Sequence, residues 1–266
     1  VTIDSSEKIA LEAREMVIEM CSKSGASHVG SALSVIDILS VLLKNVAPPD
    51  DPEKLVVMSK GHAASAYYAV LCLLGRIRKS DIDAYCENGS RFGGHVTAHH
   101  HPDVALSTGS LGHGLPFASG VALGSLRSRS SQTVYVVMSD GECDEGTTWE
   151  AALFSSHFEL NNLCVIIDRN RLQSLTSTEE TIALEPFAEK WNSFKWNVHT
   201  VDGHDHKKLE LAMSSLHSHK PTVVIAETIK GFGVSFMENQ VAWHYKAPNL
   251  EESREAVREL RERFSS

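Results

Sequence analysis

Asp140 and Asn170 are the residues whose types and spacing point most directly to chemistry. An apolar run over residues 133–138 leads straight into Ser139-Asp140-Gly141-Glu142, and a second run, residues 163–168, delivers Asn170. An acidic residue at the carboxyl end of a parallel strand, followed by glycine, can reach a metal while the backbone approaches a phosphate closely. The two positions lie 30 apart (170 − 140), the length of one strand-helix-strand unit, so both side chains can converge on one ion. A carboxylate and an amide, completed by a backbone carbonyl and phosphate oxygens, form a hard oxygen set that suits Mg²⁺ better than a soft metal. An isolated Asp-Gly pair is ordinarily a turn and a lone Asn ordinarily a helix cap; paired placement at two strand ends favours the metal reading.

Histidine is the other abundant chemical group, at 14 residues. Imidazoles titrate near neutrality and suit proton transfer, although a lone one is usually a surface or core residue. His99-His100-His101, read with His95, raises transition-metal binding. Three consecutive side chains cannot face one ion without a contorted backbone, and no Cys or paired carboxylate frames them, so a solvated loop is expected. Asp144, Glu145 and Glu150 open the helix after the metal motif, where its dipole favours negative charge.

The elements that must position these groups follow from periodicity. Ser5 or Ser6 caps a first helix with Ile9, Ala13, Val17 and Met20 at helical spacing, ending near Ser24-Gly25; a second helix is expected over residues 33–43. Lys54–Met58 reads as a short buried strand, with a helix beginning near Gly61-His62. Residues 88–108, rich in Gly and His, have no clear period and form a long loop. Beyond it, apolar β-rich runs at 133–138, 163–168, 198–201 and 222–227 alternate with helical stretches at 148–158, 185–191 and 205–216, and residues 250–264 close as an acidic-basic helix. Short apolar strands alternating with helices predict an α/β fold, a mostly parallel sheet with helices on both faces. Ligands of such sheets bind beyond the carboxyl ends of the strands. No repeat or composition break divides the chain, so residues 1–266 are expected to be a single domain.

Composition narrows the functions. At 266 residues, 42% hydrophobic and 22% charged, the chain can bury a full core. A net charge of −9 disfavours a nucleic-acid-binding surface, which needs clustered Lys and Arg. The five cysteines are scattered without CxxC spacing, as expected of thiols in a reducing compartment. The charged N-terminus is unlike a signal peptide, and no apolar run is read as approaching the roughly 20 residues that span a bilayer. A cytoplasmic location and no membrane association are expected.

Residues 139–150, followed by Asp168-Arg169-Asn170-Arg171-Leu172-Gln173, are similar to the thiamine diphosphate fingerprint that begins Gly-Asp-Gly and ends with Asn about 30 residues on. Upstream, His28-Val29-Gly30-Ser31-Ala32-Leu33-Ser34, Ser59-Lys60-Gly61-His62-Ala63 and Ser107-Thr108-Gly109-Ser110-Leu111-Gly112 resemble successive signatures of the transketolase family; downstream, Thr228-Ile229-Lys230-Gly231-Phe232-Gly233 and Trp243-His244 do so as well. The resemblance implies the thiamine diphosphate-binding fold. It implies Mg²⁺ coordination by Asp140, Asn170 and the Leu172 carbonyl, and diphosphate contacts from the Gly141 N–H, His62 and His244. Gly109, Ser110 and Leu111 would line the cofactor through their backbone, and His28, His95 and His244 would face the donor sugar as the catalytic set. Glu145 and Glu150 would lie at a subunit contact.

The same resemblance implies half an enzyme. In this family the glutamate that activates the cofactor lies in a pyrimidine-binding domain, so the chain resembles the N-terminal subunit of split transketolases. Its partner would be a C-terminal transketolase-like subunit, in an α2β2 heterotetramer. The implied reaction is a transferase one: a two-carbon ketol unit passes from a ketose phosphate to an aldose acceptor. The alternatives are delivery to an unusual sugar or a carrier-bound lipoyl group, and a non-catalytic regulatory subunit. His113, Ser139, Ser27 and Phe92-Gly93 depart from common family forms, and the loop from His95 to His101 is about one residue longer, which leaves the sugar open.

Overall fold

The apolar runs pair in one wholly parallel sheet of order β1-β2-β3-β5-β4, where β1 is Lys54–Met58, β2 Thr133–Ser139, β3 Leu163–Arg169, β4 Asn197–Asp202 and β5 Thr222–Glu227. This computed structural model describes residues 5–264. β2 and β3 are buried along their whole length, which explains why they read as continuous apolar runs. β4 is the edge strand: it is half-buried and carries His199, Thr200 and Asp202, so it is less apolar than the sequence reading made it.

The helices are α1 (Ser6–Ser24), α2 (Val29–Val41), α3 (Ala64–Leu73), α4 (Lys79–Asp83), α5 (Gly114–Arg127), α6 (Gly146–His157), α7 (Thr178–Thr181), α8 (Phe187–Ser193), α9 (His206–Ser214) and α10 (Leu250–Phe264). Successive strand residues face opposite sides, so the core divides in two. Tyr135 and Val137 pack with α1, α2, α3, α9 and α10; Val134, Val136 and Met138 pack with α5, α6 and α8. The path β1 to β2 to β3 to β4 advances in one direction across the sheet, and α5, α6 and α8 on those connections all lie on one face. The step from β4 back to β5 reverses direction, and its helix α9 lies on the other face. A right-handed crossover rule requires that alternation.

Local signals account for the element ends. The Ser5 hydroxyl accepts from the Lys8 amide at 3.3 Å to cap α1, and Gly25 closes the helix in the left-handed region at φ 68°. α2 begins at Val29, earlier than expected, because His28 at φ 74° turns the chain directly into the helix. α4, α5 and α7 were not anticipated, and α2 runs on as a π-helical turn, Leu42–Val46. Together Val29–Val46 is an 18-residue helix apolar enough to cross a membrane by length and composition, which corrects the reading that no run comes near that size. It is 83% buried, and its apolar residues join the core beside α1, α3 and α9, as in the central helix of a folded core.

Candidate active site

Because all the strands run parallel, their carboxyl ends emerge at one edge. Ser139 pairs with Asp168 and Arg169 with Glu227, so Asp140, Asn170 and Thr228 leave adjacent strands side by side. Asp140 is buried, and its Oδ2 accepts the Arg171 N–H at 2.7 Å and an Arg169 Nη1 proton at 3.3 Å; its Oδ1 accepts the Gly141 N–H at 2.8 Å. Asn170 donates to Ser34 Oγ at 3.1 Å, while its Oδ1 accepts from the Leu172 N–H at 3.1 Å. Burial raises the Asp140 pKa and Arg169 opposes the rise, so the site gains if a cation sits beside that carboxylate.

A layer of buried ions holds these ligands from below. Lys60 and Asp168 form an ion pair with side chains 1% and 0% exposed, and Asp168 also accepts from Ser34 Oγ at 2.6 Å and from Thr228 Oγ1. Lys60 donates to the Ser31 carbonyl at 2.8 Å. Arg169 bonds Thr178 Oγ1 at 2.8 Å and Glu185 at 2.8 Å, which fixes its guanidinium beside Asp140. Glu142, fully buried, accepts from Ser59 Oγ, from the Gly112 N–H at 2.9 Å and from the Ser139 N–H at 3.4 Å. It thereby ties the exits of β1 and β2 to the Gly112 turn.

Four histidines close the upper side. His28 lies 5.3 Å from His62, 5.7 Å from His95 and 4.8 Å from His244, centroid to centroid, and the His28 N–H donates to the His244 carbonyl at 2.8 Å. Burial, with His95 next, lowers the His28 pKa to about 4; burial, with Lys230 next, lowers His244 to about 3. Burial and Lys60 lower His62 as well. These three rings are neutral near pH 7. His28 Nδ1 is buried without a hydrogen-bond partner, an orphan donor or acceptor at the wall of the cleft.

The resulting cleft, about 200 Å³, is lined by His28, His62, His95, Gly109, Leu111, Asp140, Gly141, Asn170, Leu172 and His244 from the expected set. Ser110 is exposed and does not line it. Ser31, Lys60, Ser139, Gln173 and Ser174 also line the cleft and were given no role from sequence. Lys230 was missed too: its buried ammonium donates to the Leu172 carbonyl at 3.4 Å, the Gln173 carbonyl at 3.0 Å and His244 Nδ1 at 2.9 Å. Burial lowers its pKa to about 8. The only sequence signal for it was membership of the Thr228-Gly233 motif. A cation already sits on the Leu172 carbonyl, and the Asp140 and Asn170 oxygens retain free lone pairs, so this donor set can hold a hard divalent metal. Gly141 leaves its amide accessible at the cleft, since a Cβ there would meet Gln173 at 3.0 Å.

The loop over residues 88–108 is pinned rather than free. Phe92 packs on Tyr68 with centroids 4.7 Å apart, and the Thr108 N–H donates to the Val96 carbonyl at 3.2 Å, which presents His95 to the cleft. His101 turns away to the Arg76 carbonyl at 3.0 Å, while His99 and His100 are exposed. Among the described residues no three His, Cys, Asp or Glu side chains are grouped to share a metal. His113 is exposed and bonds the Leu111 carbonyl at 2.8 Å. Glu145 and Glu150 are exposed at the start of α6.

Comparison with known proteins places this architecture. A family model described as the transketolase thiamine diphosphate binding domain matches residues 5–265. One of the two named subunits of the apulose-4-phosphate transketolase of Actinobacillus succinogenes is 38% identical over 267 residues, 97% of this chain and 97% of that protein. The 6-deoxy-6-sulfo-D-fructose transketolase subunit SqwG of a Clostridium species is 35% identical and covers 93% of each. Human transketolase is 32% identical over 94% of this chain but only 41% of its own length. The solved transketolase of Leishmania mexicana superposes with a TM-score of 0.89 at 26% identity, over 99% of this chain and 42% of that one. The chain thus spans about two fifths of those longer relatives. A match that runs nearly end to end, at 38% identity with a protein of almost the same length, leaves one conclusion: the chain belongs to the transketolase family, as its thiamine diphosphate-binding part.

Proposed function

We propose that this chain, with a second subunit, transfers a two-carbon ketol unit from a ketose phosphate to an aldose acceptor, using thiamine diphosphate and Mg²⁺. The observation that carries the reading is the convergence of Asp140, Asn170 and the Leu172 carbonyl with His28, His62, His95 and His244 on one cleft. Bound thiamine diphosphate supplies the electron sink that carbon–carbon cleavage of a ketose requires. Asp140, Asn170 and the Leu172 carbonyl would hold Mg²⁺, and the Gly141 N–H, His62 and His244 would hold the diphosphate. Gly109, Ser110 and Leu111 would border the cofactor, Ser110 through its backbone only.

The neutral state of His28 and His244 suits proton handling, because each offers one N–H and one basic nitrogen. The orphan Nδ1 of His28 is free to bond a donor-sugar hydroxyl. His95, across from it, would flank the same hydroxyls. Relatives of this length that are named as transketolase subunits support a companion chain, which we take to be the C-terminal transketolase-like subunit that supplies the pyrimidine-binding wall and the activating glutamate. An α2β2 assembly in the cytoplasm is the arrangement we propose, with residues 1–266 as one diphosphate-binding domain.

The test is donor cleavage measured with the chain alone, with its companion, and with Asp140→Ala plus companion. Apulose-4-phosphate and 6-deoxy-6-sulfo-D-fructose, which appear in the names of relatives, belong in the donor panel beside ordinary ketose phosphates. Cleavage is expected only from the wild-type pair. Full activity of Asp140→Ala at limiting Mg²⁺ would sink the reading.

A further inference from the structure

We propose that His204 is a positioning residue for this site, which fixes the segment that carries Lys230 through a hydrogen-bond relay from Asp37 to the Ile229 amide. The inference rests on the functional reading above and assigns a role to a histidine outside the cleft. β5 ends at Glu227, and the next three residues each reach a different partner. Thr228 bonds Asp168, the Ile229 N–H donates to His204 Nε2 at 2.9 Å, and Lys230 reaches the Leu172 and Gln173 carbonyls and His244.

The tautomer of His204 follows from its partners. A backbone amide can only donate, so Nε2 must accept, and the ring proton resides on Nδ1. That proton faces Asp37 Oδ2 at 2.6 Å. Asp37 is itself anchored: its side chain is 5% exposed, Arg14 pairs with it, and His206 Nε2 lies 3.0 Å from its other oxygen. The ring plane of His204 is set by Phe232, stacked at 3.5 Å with an interplanar angle of 13°. Both in-plane bonds are therefore aimed by packing as well as by charge.

A second contact clamps the same strand exit. The Gly203 N–H donates to the Glu227 carbonyl at 2.7 Å, and a Cβ on Gly203 would meet Thr228 Cγ2 at 2.4 Å. The turn before α9 thus grips the chain on either side of Thr228, immediately before the lysine that touches the metal-side carbonyls. Outer partners of a metal site act in this manner, orienting groups that they never share with the ligand.

The experiment uses the enzyme reconstituted with its companion chain, and reads thiamine diphosphate affinity by calorimetry at saturating Mg²⁺ together with amide hydrogen exchange over residues 226–232. His204→Phe keeps the stack on Phe232 and removes both bonds; His204→Gln restores an acceptor for Ile229. His206→Gln, which perturbs Asp37 without touching the Ile229 amide, reports the cost of loosening the relay's base. His204→Phe is expected to weaken cofactor binding about tenfold and to speed exchange at Ile229, with most of both effects recovered in His204→Gln. Wild-type affinity and exchange in His204→Phe would overturn the proposal. So would an equal loss of affinity in His206→Gln at matched melting temperature, which would make the role merely structural. The exchange arm needs no cofactor, so a wild-type enzyme that binds no thiamine diphosphate would overturn the functional reading while the His204–Ile229 contact is still judged by exchange.

Discussion

At the scale of residues, the site depends on ions that never meet the ligand. Lys60 and Asp168 are both buried, and removing one partner leaves the other charge stranded. Lys60→Met should therefore destabilise the fold by about 3–5 kcal/mol, read as a lower urea midpoint with unchanged slope. A loss under about 1 kcal/mol, on the order of an exposed pair, would contradict the burial argument. The histidines carry a pH signature. His28 and His244 titrate at about 4 and about 3 in the fold, below the value near 6.5 expected of an unfolded imidazole. Between those limits the unfolded chain binds more protons, so their contribution is fully present above about pH 6.5 and is lost as pH falls below it. Melting temperature should drop from pH 7 to pH 5, and less steeply in a His28→Gln/His244→Gln double variant. Parallel slopes in the two proteins would refute the assignment.

Among elements, the turn before α5 is the most exacting. Gly112 has φ 77°, and a Cβ there would meet Thr147 Oγ1 at 2.5 Å and Glu145 Cβ at 2.6 Å. Gly112→Ala should cost about 2 kcal/mol or more and also weaken cofactor binding, because the Gly112 amide holds Glu142 against Ser59. Calorimetric melting and cofactor titration of the variant check both, and a neutral effect on either would remove the turn from the site's support. α5 also shows where the sequence fell silent. Gly114, Gly120, Gly124 and Pro116 depress its helix propensity, yet it forms because Ala118, Ser119 and Ala122 let it lie close to the sheet and α6, with Ser119 and Ser155 hydroxyls 2.8 Å apart. Where apolar spacing and caps agree, as in α1 and α10, the elements were legible to within about a residue. The metal pair was legible because strand ends announce themselves. Arg14, Asp37, Lys60 and Lys230 were not, since a charged side chain in a helix or loop reads as solvated until a distant partner is known.

For the molecule as a whole, exposed apolar residues gather on one flank. Phe117 on α5 and Leu153 and Phe154 on α6 are 38%, 62% and 37% exposed, close to Glu150 in the chain. If that flank carries the intersubunit contact proposed above, Leu153→Glu should weaken assembly in sedimentation while leaving the melting temperature of the free chain within about 2 °C, since surface changes cost little stability. Unaltered assembly would move the contact elsewhere. A saturating ligand should also stabilise the whole sheet: thiamine diphosphate with Mg²⁺ at 100 times its dissociation constant contributes about 2.7 kcal/mol, a shift of several degrees that Asp140→Ala should abolish. The cleft draws on residues from His28 to His244 and on the ends of four strands, β1, β2, β3 and β5. During synthesis, then, a growing chain has no binding site until nearly its last tenth has emerged. The cofactor can reward only finished molecules, and its occupancy becomes a record of completed folding rather than an aid to starting it.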